Sequence, residues 1–319
     1  MNRKIILAVV ALMIATPMIS VAAEPDPSVR VINLWPQTPP AWNAPTESER
    51  DTSGPDGRDV AGKPVIRLGN VTTPQLHLYE LTDQPTIDNT TILICPGGGY
   101  SILAWDLEGT EIAKRFNSLG YSAAVVKYRV PTGNADQPWV APVQDIQRAV
   151  SHVRSSLSKM TNSEEIARVG LVGFSAGGNA AARVAAANGV RTYATIDEID
   201  RASCKVDFAG LVYPWLMIAN PEQPETSPSR KTTPQGIIPD LAITDKTPPM
   251  FFAHAIDDQV SWRNSFELFS ALRASGVMAE LHVYANGGHG FGARDADLPV
   301  AMWPEQMATW LRVVMAGQP

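Results

Sequence analysis

Little in this chain could tie it together covalently or through a metal. It has two cysteines, Cys95 and Cys204, in 319 residues, too few for a disulfide framework. Histidine is scarce at five residues, and no metal-ligand cluster or cofactor motif is visible, so no cofactor is expected. Basic runs are missing as well. With a formal charge of −6 and no interleaving of aromatic with basic residues, a nucleic-acid partner is not expected. No internal repeat or coiled-coil pattern occurs, and past the amino terminus no apolar run nears the ~20 residues of a membrane span.

The amino terminus has its own pattern. Arg3 and Lys4 precede an apolar run from Ile5 to Met13, and small residues follow at Val21-Ala22-Ala23. That is the form of a secretory signal, too short to span a bilayer and without a cysteine for a lipid anchor. Residues 1–23 are therefore expected to be removed and the chain exported, periplasmic or secreted, with no membrane partner afterwards. Residues 24–64, rich in Pro, Asp, Ser and Gly around Trp35 and Trp42, suggest an irregular lead-in wrapped over the domain. Residues 65–319 are expected to form one large α/β domain.

Within it the pattern is regular. Val65–Leu68 and Gln75–Leu81 suggest an antiparallel hairpin at a sheet edge, the second with the alternation of a half-exposed strand. Thr91–Cys95 is the first wholly apolar run, as for a strand buried on both faces. Helix Glu108–Leu119, strand Tyr121–Tyr128, helix Val143–Leu157 and a strand through Gly173 follow. A helix then begins near Ser175, and strand Val206–Tyr213 comes next. After a Pro-rich stretch over 219–249, expected as a loop or small cap, come strand Met250–His254, helix Ser261–Ala274, strand Ala279–Tyr284 and a last helix near Pro299–Met315. Alternation of this kind specifies a mostly parallel sheet with helices on both faces, its strand carboxyl ends sharing one ligand-binding edge. Cys95 then ends one strand while Cys204 precedes another, at opposite sheet edges, so both are expected as free buried thiols.

Chemistry concentrates at Gly173-Phe174-Ser175-Ala176-Gly177. A serine between glycines, at a sharp turn from strand to helix, has the form of a nucleophile elbow. Its hydroxyl needs a base. His77, His152 and His282 lie inside elements and suit structural roles, whereas His289 stands in the glycine-rich loop Asn286–Gly292 directly after a strand. The orienting acid belongs between serine and histidine, and Asp258 is favoured over its neighbour Asp257. For an oxyanion, the N–H of Ala176 and that of Gly98 or Gly99, in Pro96-Gly-Gly-Gly-Tyr100, are the candidate donors. Tyr100, Trp105, Trp139, Trp215 and Trp262 fall near loops on the same edge, where rings could stack on sugar; the first four are candidate pocket residues.

Together Pro96–Tyr100, Glu108-Gly109, Tyr128-Arg129, Gly173–Gly177, Asp258 and Gly288–Phe291 make the chain resemble the α/β-hydrolase superfamily over about Val65–Met315. It looks most like exported bacterial acetyl-esterases and acetylxylan esterases, a group that includes feruloyl esterases. One departure is Pro96, where hormone-sensitive-lipase-like esterases carry histidine; the oxyanion role is a backbone property and is untouched. The resemblance implies Ser175 as nucleophile, Asp258 as acid and His289 as base. It implies a serine carboxylesterase acting on a small-molecule or polysaccharide ester, short-chain acetyl esters of carbohydrate first. Two alternatives are a peptidase of the prolyl-oligopeptidase kind, whose members usually carry a large amino-terminal propeller where this sequence has an irregular lead-in, and a non-catalytic binding protein on the same scaffold.

Overall fold

The computed structural model describes residues 29–40, 42–54, 57–81, 86–160, 168–218, 236–294 and 297–316. Both the signal expected at 1–23 and most of the loop or cap expected at 219–249 lie outside them; residues 236–249 form turns and irregular backbone.

An eight-stranded sheet carries the molecule. In chain order its strands are β1 (Arg30–Asn33), β4 (Gln75–Tyr79), β5 (Thr90–Cys95), β7 (Ser122–Lys127), β8 (Arg168–Phe174), β9 (Phe208–Val212), β10 (Met250–Ala255) and β11 (Ala279–Tyr284). Across the sheet the order is β1-β4-β7-β5-β8-β9-β10-β11, parallel from β7 to β11 and antiparallel at β1 and β4. Strands β5, β9 and β10 are buried along their whole length, which their unbroken apolar sequences require.

Helices cover both faces. On one, α2 (Val140–Met160), α3 (Ser175–Ala186) and α4 (Arg263–Ala274) supply Ile146, Ala181 and Leu268 to a core. On the other, α1 (Glu111–Ser118) and α5 (Trp303–Ala316) bring Phe116 and Trp303 against Ile94 and Phe174. Glu108 lies not at the start of an α-helix but inside a short π-helical turn, Asp106–Thr110, that leads into α1. Cys95 and Cys204 are free and buried.

Two expectations change. Val65–Leu68 and Gln75–Leu81 do not form a hairpin with each other. β3 (Arg67–Gly69) instead joins β2 (Arg50–Asp51) and β6 (Leu103–Ala104) in a small separate sheet, and β4 lies between β1 and β7. The alternating burial of β4 is as expected, but its partners are remote in sequence. Nor is the lead-in wholly irregular: β1 extends the main sheet and β2 the small one.

Candidate active site

Strand β8 passes into α3 without an intervening loop, and Ser175 takes φ +49° at the junction. A non-glycine residue held there is strained, and the strain lifts the hydroxyl off the sheet edge. Gly177 makes the turn possible. A Cβ on it would lie 2.2 Å from the carbonyl oxygen of Cys95 and 2.3 Å from that of Pro96, so the helix passes the end of β5 only with a bare Cα.

His289 and Asp258 meet the serine. The Oγ of Ser175 is 3.0 Å from His289 Nε2, and His289 Nδ1 is 2.9 and 3.0 Å from the two Asp258 oxygens. A carboxylate only accepts, so Nδ1–H donates to Asp258 and Nε2 is left to accept the Ser175 hydroxyl. Burial pushes the Asp258 carboxyl up, but hydrogen bonds from His254, His289 and the N–H of Val260 outweigh it and hold the group below its ordinary value.

Sequence reasoning assigned His254 no role, yet it is fully buried beside this carboxylate. Its Nε2–H donates to Val260 O at 2.9 Å and lies 3.3 Å from Asp258 Oδ2, while Nδ1 accepts from the Ser265 hydroxyl at 2.8 Å. Asp257 serves the other side of the site: its oxygens accept the N–H groups of Gly288 at 2.8 Å and Gly287 at 3.3 Å. One aspartate therefore orients the imidazole and the other anchors the loop that carries it.

The glycine loop after β5 is fixed from below. Gly97 N–H donates to Glu108 Oε2 at 2.7 Å, and the second Glu108 oxygen accepts the Tyr213 hydroxyl at 2.9 Å. Tyr213 also accepts the Gly292 N–H at 3.2 Å and sets its ring 5.0 Å from that of His289. Glu108 and Tyr213 thus link the glycine loop to the histidine loop. Burial raises the Glu108 carboxyl above its ordinary value, against the bonds from Tyr213 and Gly97. With the Gly97 donor taken, Gly98 (φ +131°) and Gly99 (φ +62°) face the cavity, and neither N–H has a protein acceptor among the described residues. Ala176 lies in the first turn of α3, where an N–H has no intrahelical acceptor.

A cavity of about 310 Å³ opens over Ser175 and His289. Of the candidate pocket rings, Trp215 lines it and three do not. Tyr100 is fully buried and donates to Asn179 Oδ1 at 2.8 Å. Trp105 sets its ring 4.8 Å from that of His77, and the Arg183 guanidinium covers Trp139 at 3.7 Å. Trp262, against Phe266, lies outside the lining too. Each of these rings fills core or stacks on a neighbour, the commoner use of a large aromatic. The lining also includes Arg58 and Val60 of the lead-in, Val65 and, from β3, Arg67, none of which the motifs had singled out.

A family model, BD-FAE, matches residues 81–272. An acetylxylan esterase of Xylanibacter ruminicola is 29% identical over 210 residues, 62% of this chain and 40% of that protein. The chain spans less than half the length of the curated relatives it matches. Among solved structures, an acetyl ester-xyloside bifunctional hydrolase from Caldicellulosiruptor lactoaceticus superposes with TM-score 0.64 at 27% identity, over 90% of this chain and 96% of that one. MGS-M1, an alpha/beta hydrolase enzyme from a Medee basin deep-sea metagenome library, superposes with TM-score 0.55 at 20% identity, over 76% and 93%.

Proposed function

This chain belongs to the BD-FAE family and has the α/β-hydrolase fold, and from that premise we propose that it hydrolyses carboxylic esters through an acyl-enzyme on Ser175. The observation that carries the reading is the continuous hydrogen-bonded path from Ser175 Oγ through His289 to Asp258. His289 Nε2 takes the hydroxyl proton as Oγ attacks the ester carbonyl, and Asp258 stabilises the imidazolium that forms. The oxyanion is met by the N–H of Ala176 and that of Gly98 or Gly99; each such donor is worth about 2.7–4 kcal/mol in the barrier. His289 then returns the proton to the leaving alcohol. Water activated by the same imidazole releases the acid and restores Ser175.

For substrate we take a short-chain ester of carbohydrate, acetyl first. The acetylxylan esterase relative and the bifunctional acetyl ester-xyloside hydrolase favour it, and a 310 Å³ cavity with Trp215 on its wall suits a small acyl group beside a sugar. Export to the periplasm or medium belongs to the same reading and rests on residues 1–23; among the described residues no helix is long and apolar enough to cross a membrane.

Turnover of 4-nitrophenyl acetate, acetylated xylan, a feruloyl ester and a peptide amide is the test. Wild type is expected to cleave the acetyl esters and leave the amide intact. Ser175→Ala should lose at least about 10³-fold in kcat with an unchanged melting temperature, since the hydroxyl supports no packing. Near-normal turnover by that variant would end the acyl-enzyme reading, and preferred amide cleavage would favour the peptidase.

A further inference from the structure

The cavity lining that includes Ser175 also includes Arg58 and Arg67, and among the described residues no carboxylate forms an ion pair with either. Arg67 donates from Nη1 to Val65 O at 3.3 Å and from Nη2 to Arg58 O at 3.1 Å, both uncharged acceptors. Among the described residues the Arg58 guanidinium makes no hydrogen bond and neither arginine takes part in an ion pair. Asp59, next in the chain, does not line the cavity. Glu108, also in the lining, is buried and its oxygens are occupied by the Gly97 N–H and the Tyr213 hydroxyl. In a chain of formal charge −6, a pair of arginines in the cavity lining with no ion-pair partner among the described residues calls for an anion.

The strip that presents these arginines is built, not loose. Ile66 N–H donates to Asp106 Oδ1 at 2.8 Å, and Trp105 N–H donates to Ile66 O at 2.9 Å. Arg294 holds the carbonyls of Lys63 and Pro64 at 3.0 and 2.9 Å. Its own guanidinium, 4% exposed, is tied to Asp106 at 2.7 Å and Glu111 at 2.8 Å. Behind β3, Arg67 N–H donates to Asp51 Oδ1 at 3.0 Å. Val60 and Val65 belong to the same lining as the arginines, where apolar neighbours reduce the screening of a bound charge. Guanidinium is the cation best shaped for a carboxylate, with parallel N–H donors matching its two oxygens.

We propose that this part of the lining binds a carboxylate on the alcohol part of the ester, so that the preferred substrate is an acyl ester of an acidic saccharide or similar acidic alcohol. The alcohol side follows from size: an acetyl group is two carbons and carries no charge, so an anion that reaches the arginines belongs to the other half. The choice of an ester ligand rests on the hydrolase reading above, and the test is framed on binding so that the two stand or fall separately.

Calorimetry on the Ser175→Ala protein compares 4-acetoxybenzoate with its neutral isostere 4-acetoxybenzamide. The acid is expected to bind about three- to tenfold tighter at low salt, the sum of two partly exposed ion pairs. That preference should shrink at about 1 M salt, where the Debye length is roughly 3 Å. Arg58→Gln in the same background should cut the ratio of the two affinities several-fold; Arg58 is chosen because its guanidinium holds no other group among the described residues. Equal affinities, tighter amide binding or no binding of either ligand would overturn the proposal. So would an acid preference that Arg58→Gln leaves unaltered, or a stronger one for mono-(4-nitrophenyl) glutarate, whose charge lies on the acyl side. Loss of hydrolysis by wild type with the acid preference intact would sink the esterase reading alone.

Discussion

Asp257 and Asp258 are identical side chains at adjacent positions, and the backbone after β10 sends them to different atoms. Asp258 turns inward to His289 and His254, while Asp257 holds the N–H groups of Gly287 and Gly288. Their loss should therefore differ in kind. Asp258→Asn leaves the volume but offers an amide where Nδ1–H needs an acceptor, so kcat on 4-nitrophenyl acetate should fall by about 10⁴-fold. Asp257→Ala keeps the imidazole paired but slackens its loop, and a loss between about tenfold and 10²-fold is expected. Equal losses would mean that the division of labour is wrong. Ser175, His289 and Asp258 were legible as residues because each stands in a local context with chemical meaning: an elbow, a glycine loop, a strand end. Tyr213 was not, and Glu108 stood out only as part of the Glu108-Gly109 pair that carries the resemblance, without its partner. Their hydrogen bond joins positions 105 residues apart, and no local pattern pairs one with the other.

At the scale of elements, the junction of β8 and α3 is held to backbone tolerance by Gly177, whereas the glycine loop after β5 is looser. A methyl group at Gly177 would meet two main-chain carbonyl oxygens, which cannot rotate away as a side chain could. Gly177→Ala should cost about 3 kcal/mol, the upper end for overpacking, read as a lower urea midpoint, because strand, helix or both must shift. At Gly99 an added Cβ meets nothing within 4 Å, and only its φ of +62° opposes a side chain. Gly99→Ala should cost only about 1–2 kcal/mol of stability. If the two midpoints agree, close approach is not what glycine provides at the elbow. Strands β5, β7, β8, β9, β10 and β11 and the helices between them could be read from sequence since each combines an apolar run with a clear break. The pairing of β3 and β4 could not. Short strands at a sheet edge take their partners from the docked lead-in, and local alternation says which face is buried without saying against what.

For the whole molecule, the lead-in is the part whose importance exceeds its sequence signal. Trp35 donates to the buried Asp145 at 2.7 Å, and Arg129, paired with that carboxylate, also donates to Pro40 O at 2.9 Å. Arg148 and His152 both reach Leu34 O, at 2.8 and 3.0 Å. The edge these contacts secure contains two acid-sensitive groups. His77 in β4 is shifted down to about 4 from an ordinary 6.5, chiefly by burial and then by Lys127. His152 is lowered too; burial is the main cause, with Arg148 adding to it while Leu34 O, Asp197 and Asp200 oppose. The sign follows from proton counting. Between pH 6.5 and about 4 the unfolded chain protonates His77 and the folded chain does not, so the unfolded state binds more protons and stability falls as pH drops. The contribution of His77 is complete above pH 6.5 and is lost by about pH 4; its size is on the order of 3 kcal/mol. His77→Gln removes the titration but keeps a polar group of similar reach beside Gln75. Urea midpoints of wild type and variant, measured at half-unit steps from pH 7.5 to 4, should converge as pH falls, with the flatter curve belonging to the variant. Parallel curves would show that His77 is protonated as readily in the folded chain as in the unfolded one.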